Sequence, residues 1–545
     1  MIDFEFIANN TILLFDNGKC IAEETLDYTA YDVYRGTVDN TVDLIPSCYY
    51  KLLKNNKTLT DIAFDEKWWN DKVLSKIGNS VNDSLYKFQR ETIFRMIKTK
   101  RCLNACSPGL GKTIQALSCL VYFNGDSTND LILCPSYLRA NWMEEIKKWY
   151  PSIVDISTVI WKAGKKEIEN VIELLFNQPG IKIVSYDMFA SICAKTKKNT
   201  NFDTIIMDES HMMKNGLSVR YKNTSSYIKS CKQLFLLSGT PSPNRSNELY
   251  TQFSMINPAV FYDYKLFAFR YCNGHYDKFN RFDDRGSSKT QELSFMMSKL
   301  SLRLRREDHL DDLPAVIRQK IVVTPKKPTK TFFKKKMKFM EMLGHVDDSE
   351  EAKFKLQALA SEMFRDTAAI KIDPVIEYLE NYTLDPELEK TILFCKHQMM
   401  LQAVSEYLTS AGHKFIAISG QTPMCDRMGL IDKFKTDPSC TFAVLTIGSC
   451  NTGLTITPIR KMVFLELTWT PTDLDQAEAR INRFGGSKNL HYIYLVCENS
   501  LDDMVFNKLK KKTALITEVV DGAKRYRDFE FEGEQQTTKN PKLHC

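Results

Sequence analysis

Ser107-Pro108-Gly109-Leu110-Gly111-Lys112-Thr113 decides the fold. The stretch runs directly into Ile114, Leu117, Leu120 and Val121, apolar residues at helical spacing. A glycine-rich turn that opens a helix aims backbone N–H groups and the positive helix end at phosphates. Lys112 then reaches the terminal phosphates and Thr113 can ligate magnesium. Gly109, Leu110, Gly111, Lys112 and Thr113 are therefore the expected nucleotide-binding residues. One position departs from the GxxxxGK[ST] spacing of a P-loop: Cys106 stands where the pattern has glycine.

A P-loop belongs on an α/β sheet, and the chain around it has that rhythm. Short apolar runs alternate with longer amphipathic stretches: LILC (131–134), IKIVSY (181–186), TIIM (204–207) and QLFLL (233–237). The rhythm fades between about 250 and 385, where aromatic, basic and helix-favouring residues dominate. It resumes with TILFC (391–395), KFIAIS (414–419), FAVLT (442–446), KMVFLE (461–466) and HYIYLV (491–496). This predicts parallel sheets with crossover helices in two α/β lobes around a mostly helical middle. The expected divisions are an accessory region of unknown role at 1–80, a first lobe at 81–250, helical protrusions and a connection at 251–385, a second lobe at 386–520, and a polar tail at 521–545.

The run 204–207 delivers Asp208-Glu209-Ser210-His211 at its carboxyl end, where α/β sheets keep their active sites. Asp208 is placed to hold a magnesium shell, and Glu209 to orient or deprotonate an attacking water. A helix cap would explain Asp208 or Ser210 singly, but not the acidic pair with a P-loop about 95 residues upstream. In the second lobe Gln476, Arg480 and Arg483 share one face of a helix expected to be capped near Thr472 or Asp473. Two arginines on one face are ordinarily solvated. Beside a nucleotide they are candidate fingers for the charge on a departing phosphate.

Length and composition bound the rest. The 545 residues suggest three or four units, and 43% hydrophobic with 26% charged residues is a globular mixture. No apolar run is long enough to cross a bilayer, and Met1-Ile2-Asp3-Phe4-Glu5 lacks the basic start of a secretory signal, so no membrane partner is expected. The 15 scattered cysteines, without a CxxC pair, read as reduced thiols of an intracellular protein. The net charge of +7 equals the seven lysines of residues 326–338, KKPTKTFFKKKMK. That run is a solvated helix face unless a polyanion is the partner.

Taken together, the P-loop, Asp208-Glu209-Ser210-His211, Leu237-Ser238-Gly239-Thr240-Pro241, and the block Thr446 to Thr455 continuing through Gln476 to Arg483 resemble the ordered motifs of superfamily-two helicases, specifically Swi/Snf DNA translocases. Phe88-Gln89-Arg90, Leu304-Arg305-Arg306 through Leu313-Pro314, Glu466 to Pro471 and His491 to Leu495 look most like the branch of HepA-related annealing helicases. The resemblance, over about 85 to 510, implies two RecA-like lobes with ATP and Mg2+ at their interface and translocation on double-stranded or forked DNA. It implies that Gln89 reads the adenine, Lys112, Asp208, Glu209, Gln476, Arg480 and Arg483 serve hydrolysis, and Ser238, Gly239 and Thr240 couple it to lobe movement. Gly453, Leu454 and Thr455 would link the ATP and DNA sites. With DNA as partner, Lys334, Lys335 and Lys336 become candidate phosphate contacts. Ala479, Asn482 and Gly486 depart from the family's usual Asp, His and Gln. The same motifs leave an RNA helicase or a non-hydrolysing DNA-binding scaffold as alternatives. The expected location is the nucleus in a eukaryote, otherwise the cytoplasm or a viral replication compartment.

Overall fold

A computed structural model describes residues 2–506 except 8–10, 17–18, 26–32, 39–40, 54–56, 126–127, 163, 165–166, 197–201, 243–244, 278–279, 306–315, 326–329, 345–349, 386–387, 451–458, 469–470, 479–489 and 503. The chain divides into two compact units, the first reaching Arg305 and the second beginning at Arg306.

The N-terminal residues form an antiparallel sheet of β1 (Ile2–Ile7), β2 (Thr11–Asp16) and β3 (Lys19–Thr25), and a hairpin of β4 (Val33–Val38) and β5 (Thr41–Pro46). The main sheet of this unit contains β6 (Arg101–Asn104), β7 (Asn129–Cys134), β8 (Ser157–Val159), β9 (Gly180–Ser185), β10 (Thr204–Asp208) and β11 (Gln233–Leu237). A short hairpin, β12 (His275–Tyr276) and β13 (Phe282–Asp283), precedes its last strand, β14 (Ser301–Leu302). The order is β14-β6-β11-β10-β7-β9-β8, parallel throughout. Buried on both faces, β7, β9, β10 and β11 contain the short apolar runs that the sequence displays, with Lys182 of β9 a buried exception.

This order positions the site. The chain leaves β6, passes over two strand positions to lay down β7, and later fills the gap with β10 and β11. The carboxyl ends of β6, β11 and β10 therefore stand side by side, the switch point at which open α/β sheets bind ligands. On one face the helices Lys87–Thr99, Lys112–Phe123 and Arg139–Trp149 share a core with Trp69, Val73, Ile77 and Val81. The later part of the expected accessory region thus belongs to the first lobe's own core. The aromatic pair divides: Trp69 is buried, while Trp68 lies partly exposed with Lys98 over its ring.

The second unit carries β15 (Val316–Val323), β16 (Thr391–Cys395), β17 (Lys414–Ile418), β18 (Cys440–Thr446), β19 (Lys461–Phe464) and β20 (Leu490–Cys497), all parallel in the order β15-β20-β19-β16-β18-β17. The middle expected to be helical therefore also supplies a strand to each sheet, β14 and β15. Its helix Lys330–Gly344 sends Phe332 and Phe339 into one core of the second unit, beside Met363 and Phe364 of the helix Glu350–Thr383. A buried ion pair, Lys371 Nζ to Asp502 Oδ2 at 2.6 Å, ties that long helix to the segment after β20. Cys102, Cys106, Cys119, Cys134, Cys395 and Cys497 are among the buried free thiols, and among the described residues no helix is long and apolar enough to cross a membrane.

Candidate nucleotide site

The loop after β6 is shaped by its glycines. Gly109 and Gly111 have φ of 88° and 78°, a region that costs other L-residues about 1–2 kcal/mol. Gly111 caps the helix Lys112–Phe123, and a Cβ there would lie 2.5 Å from Gln89 Nε2. Two buried amides brace the loop from beneath. Asn104 Nδ2 donates to Gln115 Oε1 at 2.6 Å, Asn104 Oδ1 accepts from Cys106 N at 3.2 Å, and Gln115 Nε2 donates to Leu110 O at 2.9 Å. Gln89 joins them, donating to Leu110 O at 3.2 Å and accepting from Tyr86 N at 3.0 Å. Lys112 Nζ donates to Cys106 O at 2.8 Å and Ser107 O at 3.2 Å. Burial pulls its pKa below the usual lysine value, against the pull of Glu209, Cys106 and Asp208, and Arg303 lowers it further. Thr113 follows in the first turn, partly exposed.

Asp208 ends β10. Its Oδ2 accepts from Trp142 Nε1 at 2.9 Å and its Oδ1 from Glu209 N at 3.0 Å, while Tyr186 Oη donates to its carbonyl at 2.6 Å. Burial, then the adjacent Glu209 charge, push its carboxyl up to about 6, against Trp142 and Lys112. Glu209 sits at φ 51°, ψ 50°, a left-handed turn unusual for this residue type and of the kind that clusters at functional sites. His211 Nδ1 lies 3.3 Å from Glu209 Oε2 and 3.0 Å from Ser238 Oγ. Ser210 Oγ donates to Gln252 Oε1 at 2.9 Å, and Gln252 Nε2 to Pro241 O at 2.6 Å. The acidic motif and residues 238–241 are thus joined twice.

The 238–240 loop, emerging from β11, also meets the P-loop. Ser238 N donates to Asn104 O at 3.1 Å, and Thr240 N to Ser238 Oγ at 3.2 Å. A Cβ on Gly239 would lie 2.9 Å from Pro108 Cγ and 3.5 Å from Lys112 Nζ, so only glycine fits this approach. Among the described residues no group of three His, Cys, Asp or Glu side chains converges on a metal position. A hydroxyl and one carboxylate, Thr113 and Asp208, are the hard-oxygen set that suits a magnesium ion taking its other ligands from water and phosphate.

Lys112, Asp208, Glu209, Gln89, Ser238, Gly239 and Thr240 are thus gathered in the first unit. Beyond the P-loop, the other expected residues belong to the second unit or lie outside the described residues. Gln476 lies on the helix Pro471–Glu478, its side chain outside the described residues. That helix already begins at Pro471, a residue pre-set for the first helical position, so neither Thr472 nor Asp473 is its cap. Arg480, Arg483, Gly453, Leu454 and Thr455 lie outside the described residues. Lys335 Nζ binds Glu362 at 2.6 Å and Asp366 at 2.8 Å, and Lys336 Nζ donates to Asn499 O at 2.8 Å, whereas Lys334 is exposed. Phe332 is buried, and its neighbour Phe333 is 46% exposed.

Within the second unit, Glu466 after β19 accepts from Lys396 N at 2.7 Å and His397 N at 2.9 Å, and its Oε1 lies 2.6 Å from His397 Nδ1. Burial pushes its carboxyl up, but the His397 hydrogen bonds outweigh this and hold it below the usual value. Glu478 pairs with Arg318 of β15 at 2.6 Å and accepts from Tyr494 Oη of β20. The helix bearing Gln476 is thereby fastened to the edge of its sheet.

Sequence reasoning missed Asn104, Gln115, Trp142, Gln252 and Arg303. The first two leave a faint signal, amides inside otherwise apolar runs; the others act across distances in the chain that no local pattern shows.

Comparison with known proteins places the chain in a family. The model of the SNF2-related domain matches residues 58–370 and that of the helicase conserved C-terminal domain matches 371–485. The chain belongs to the SNF2-related family. It is 31% identical over 463 residues to the DNA annealing helicase and endonuclease ZRANB3 of Bos taurus, covering 83% of this chain and 42% of that protein. To the SWI/SNF-related matrix-associated actin-dependent regulator of chromatin subfamily A-like protein 1 of Xenopus tropicalis it is 31% identical over 445 residues, covering 81% of this chain and 46% of that protein. The chain thus spans less than half the length of these relatives. A solved Sulfolobus solfataricus SWI2/SNF2 ATPase core in complex with dsDNA aligns with a TM-score of 0.37 at 19% identity, covering 81% of this chain and 93% of that one.

Proposed function

We propose that this chain is an ATP-driven translocase on double-stranded DNA that remodels or reanneals DNA, forked DNA included, or displaces proteins bound to it. The observation that carries the reading is the meeting of three loops at neighbouring strand ends: the P-loop after β6, the acidic pair after β10, and residues 238–240 between them. Family membership and the relatives' printed names support DNA as the polymer.

In this reading Lys112 exchanges its bonds to Cys106 O and Ser107 O for the terminal phosphates. Gln89 has one N–H and one lone pair left beyond its bonds to Leu110 and Tyr86, which match the donor and acceptor of an adenine edge. Thr113 and Asp208 hold magnesium, which neutralises phosphate charge when bound. Glu209, held at its left-handed backbone position, orients the attacking water. His211 passes a change at Glu209 to Ser238, and so to the loop bearing Gly239 and Thr240. We assign Gln476, Arg480 and Arg483 to the charge that develops on the γ-phosphate, and Gly453 to Thr455 to communication with DNA. Of the lysine run, exposed Lys330, Lys334 and Lys338 are the DNA contacts, since Lys335 and Lys336 are engaged within the fold.

The test is ATP hydrolysis with duplex DNA, forked DNA, single strands and RNA. Strongest stimulation by duplex or fork is expected, and RNA as the best stimulant would overturn the reading. Lys112→Ala should lose turnover while still binding DNA; turnover equal to wild type would remove the P-loop assignment.

A further inference from the structure

The strand that closes one edge of the first sheet does more than finish it. β14 pairs with β6 through Ser301 opposite Leu103 and Leu302 opposite Asn104, and the ladder continues beyond both strands. Ala105 N donates to Leu302 O at 2.9 Å and Ser107 N to Leu304 O at 3.0 Å. The first residues of the P-loop are therefore held in sheet-like pairing by residues 302–304. Between them the Arg303 side chain turns across the loop base, where Nη1 donates to Ala105 O at 2.6 Å and Gly239 O at 3.3 Å. One guanidinium nitrogen thus binds both the P-loop and the 238–240 loop.

We propose that Arg303 is a positioning residue that locks the P-loop to the 238–240 loop, so that nucleotide state and the movement of that loop change together. Gly239 approaches Pro108 too closely for any side chain, which leaves two carbonyls, those of Ala105 and Gly239, facing a common region. Nη1 carries two N–H bonds held in the guanidinium plane and so can serve both; a lysine ammonium, one bond shorter in reach and without that fixed plane, is poorly placed to do the same. Ser238 meets His211, and His211 meets Glu209, so the contact chain runs from the acidic motif through the 238–240 loop and Arg303 to the base of the P-loop. The position of Arg303 adds a second connection. Ser107 N is bonded to Leu304 O, and the chain enters the second unit at Arg306, two residues further on. A pull on the chain at that point acts on P-loop backbone. Arg303 is one residue before the family-like run Leu304-Arg305-Arg306, and nothing in the spacing of the motifs singles it out.

The inference rests on the ATPase reading above, and the experiment separates the two. With the full chain, steady-state ATPase is measured with and without duplex DNA for wild type, Arg303→Met, which keeps an unbranched stem without donors, and Arg303→Lys, which keeps charge with a shorter reach and no fixed plane. Melting temperature is recorded for each. The expected result is a KM for ATP within about twofold of wild type, a DNA-stimulated kcat at least tenfold lower in Arg303→Met, and less than half of that loss recovered by Arg303→Lys. A tenfold rise in KM with the stimulation ratio intact would make Arg303 a phosphate ligand and overturn the inference. So would full recovery by lysine, or a proportional fall of basal and stimulated rates that follows the melting temperature. If only wild-type hydrolysis is absent at the outset, the function reading fails and takes this inference with it; if wild type is stimulated and both variants match it, the inference alone fails.

Discussion

Replacing Gly111 with alanine tests how the P-loop is held, because the cost divides into two parts that a second substitution separates. The first is the backbone: φ of 78° places an L-residue in the left-handed region, at about 1–2 kcal/mol. The second is contact, since the new Cβ would lie 2.5 Å from Gln89 Nε2. Gln89 can swing away, but then its bond to Leu110 O is lost, at about 0.5–1.5 kcal/mol. Gly111→Ala should therefore cost about 2–3 kcal/mol in the wild-type background but only the backbone part when Gln89 is already alanine. A double-mutant cycle should give a coupling of about 1 kcal/mol. The readout is native-state hydrogen exchange of peptides covering the P-loop and the first turn of the helix Lys112–Phe123, which reports local opening and avoids treating a two-unit chain as one transition. Costs that add to within about 0.3 kcal/mol would refute the reasoning, because Gln89 would then not be what alanine displaces.

Two further outcomes follow from the charges. Asp208 is raised from 3.8 to about 6 in the folded chain, so it favours folding below its unfolded value and loses that contribution as pH rises through about 6. Between pH 8 and pH 5, wild type should gain on the order of 1 kcal/mol over Asp208→Asn in denaturation of the first unit, and a pH-independent difference would show that the carboxyl is not displaced from its ordinary range. For the lysine helix, changing exposed Lys330, Lys334 and Lys338 together to alanine should lower the slope of log affinity for duplex DNA against log salt by up to about 2.7, at about 0.9 per lost phosphate contact. Lys335→Ala should leave that slope unchanged and increase exchange in the two helices it joins; a slope change for Lys335 and none for the other three would reverse this assignment.

What the sequence displays and what it hides follow from how local each cause is. β7, β10 and β18 are legible because strands buried on both faces are apolar along most of their length. β6 is four residues with an arginine at its start, and β14 is two, so neither makes a periodic signal; their place comes from pairing with each other and, for β6, with β11. β15 reads VIRQKIVV, and three successive polar residues hide a strand whose Arg318 is stabilised by Glu478, 160 positions later. The site shows the same division. Glycines that need positive φ and an acid at a strand end declare themselves within a few residues, which is why the P-loop and Asp208-Glu209 stand out. Lys335 is indistinguishable from Lys334 in the run of lysines, and only Glu362 and Asp366, a helix away, separate them.

The pairing of β14 with β6 also orders the biography of the molecule. The contact partners Ala105 and Arg303 are 198 residues apart, so a ribosome adding on the order of 5–20 residues per second needs roughly 10–40 seconds to supply the second after the first. During that interval β6, with Cys102 and Leu103, stands at the open rim of a growing sheet, its unpaired backbone groups available to any neighbouring chain. A polypeptide halted near residue 300 would possess both phosphate-binding glycines and the acidic pair, yet lack the strand that covers this rim, and its characteristic failure would be self-association in the test tube and capture by chaperones in the cell. The nucleotide loop is written early in the chain and finished late.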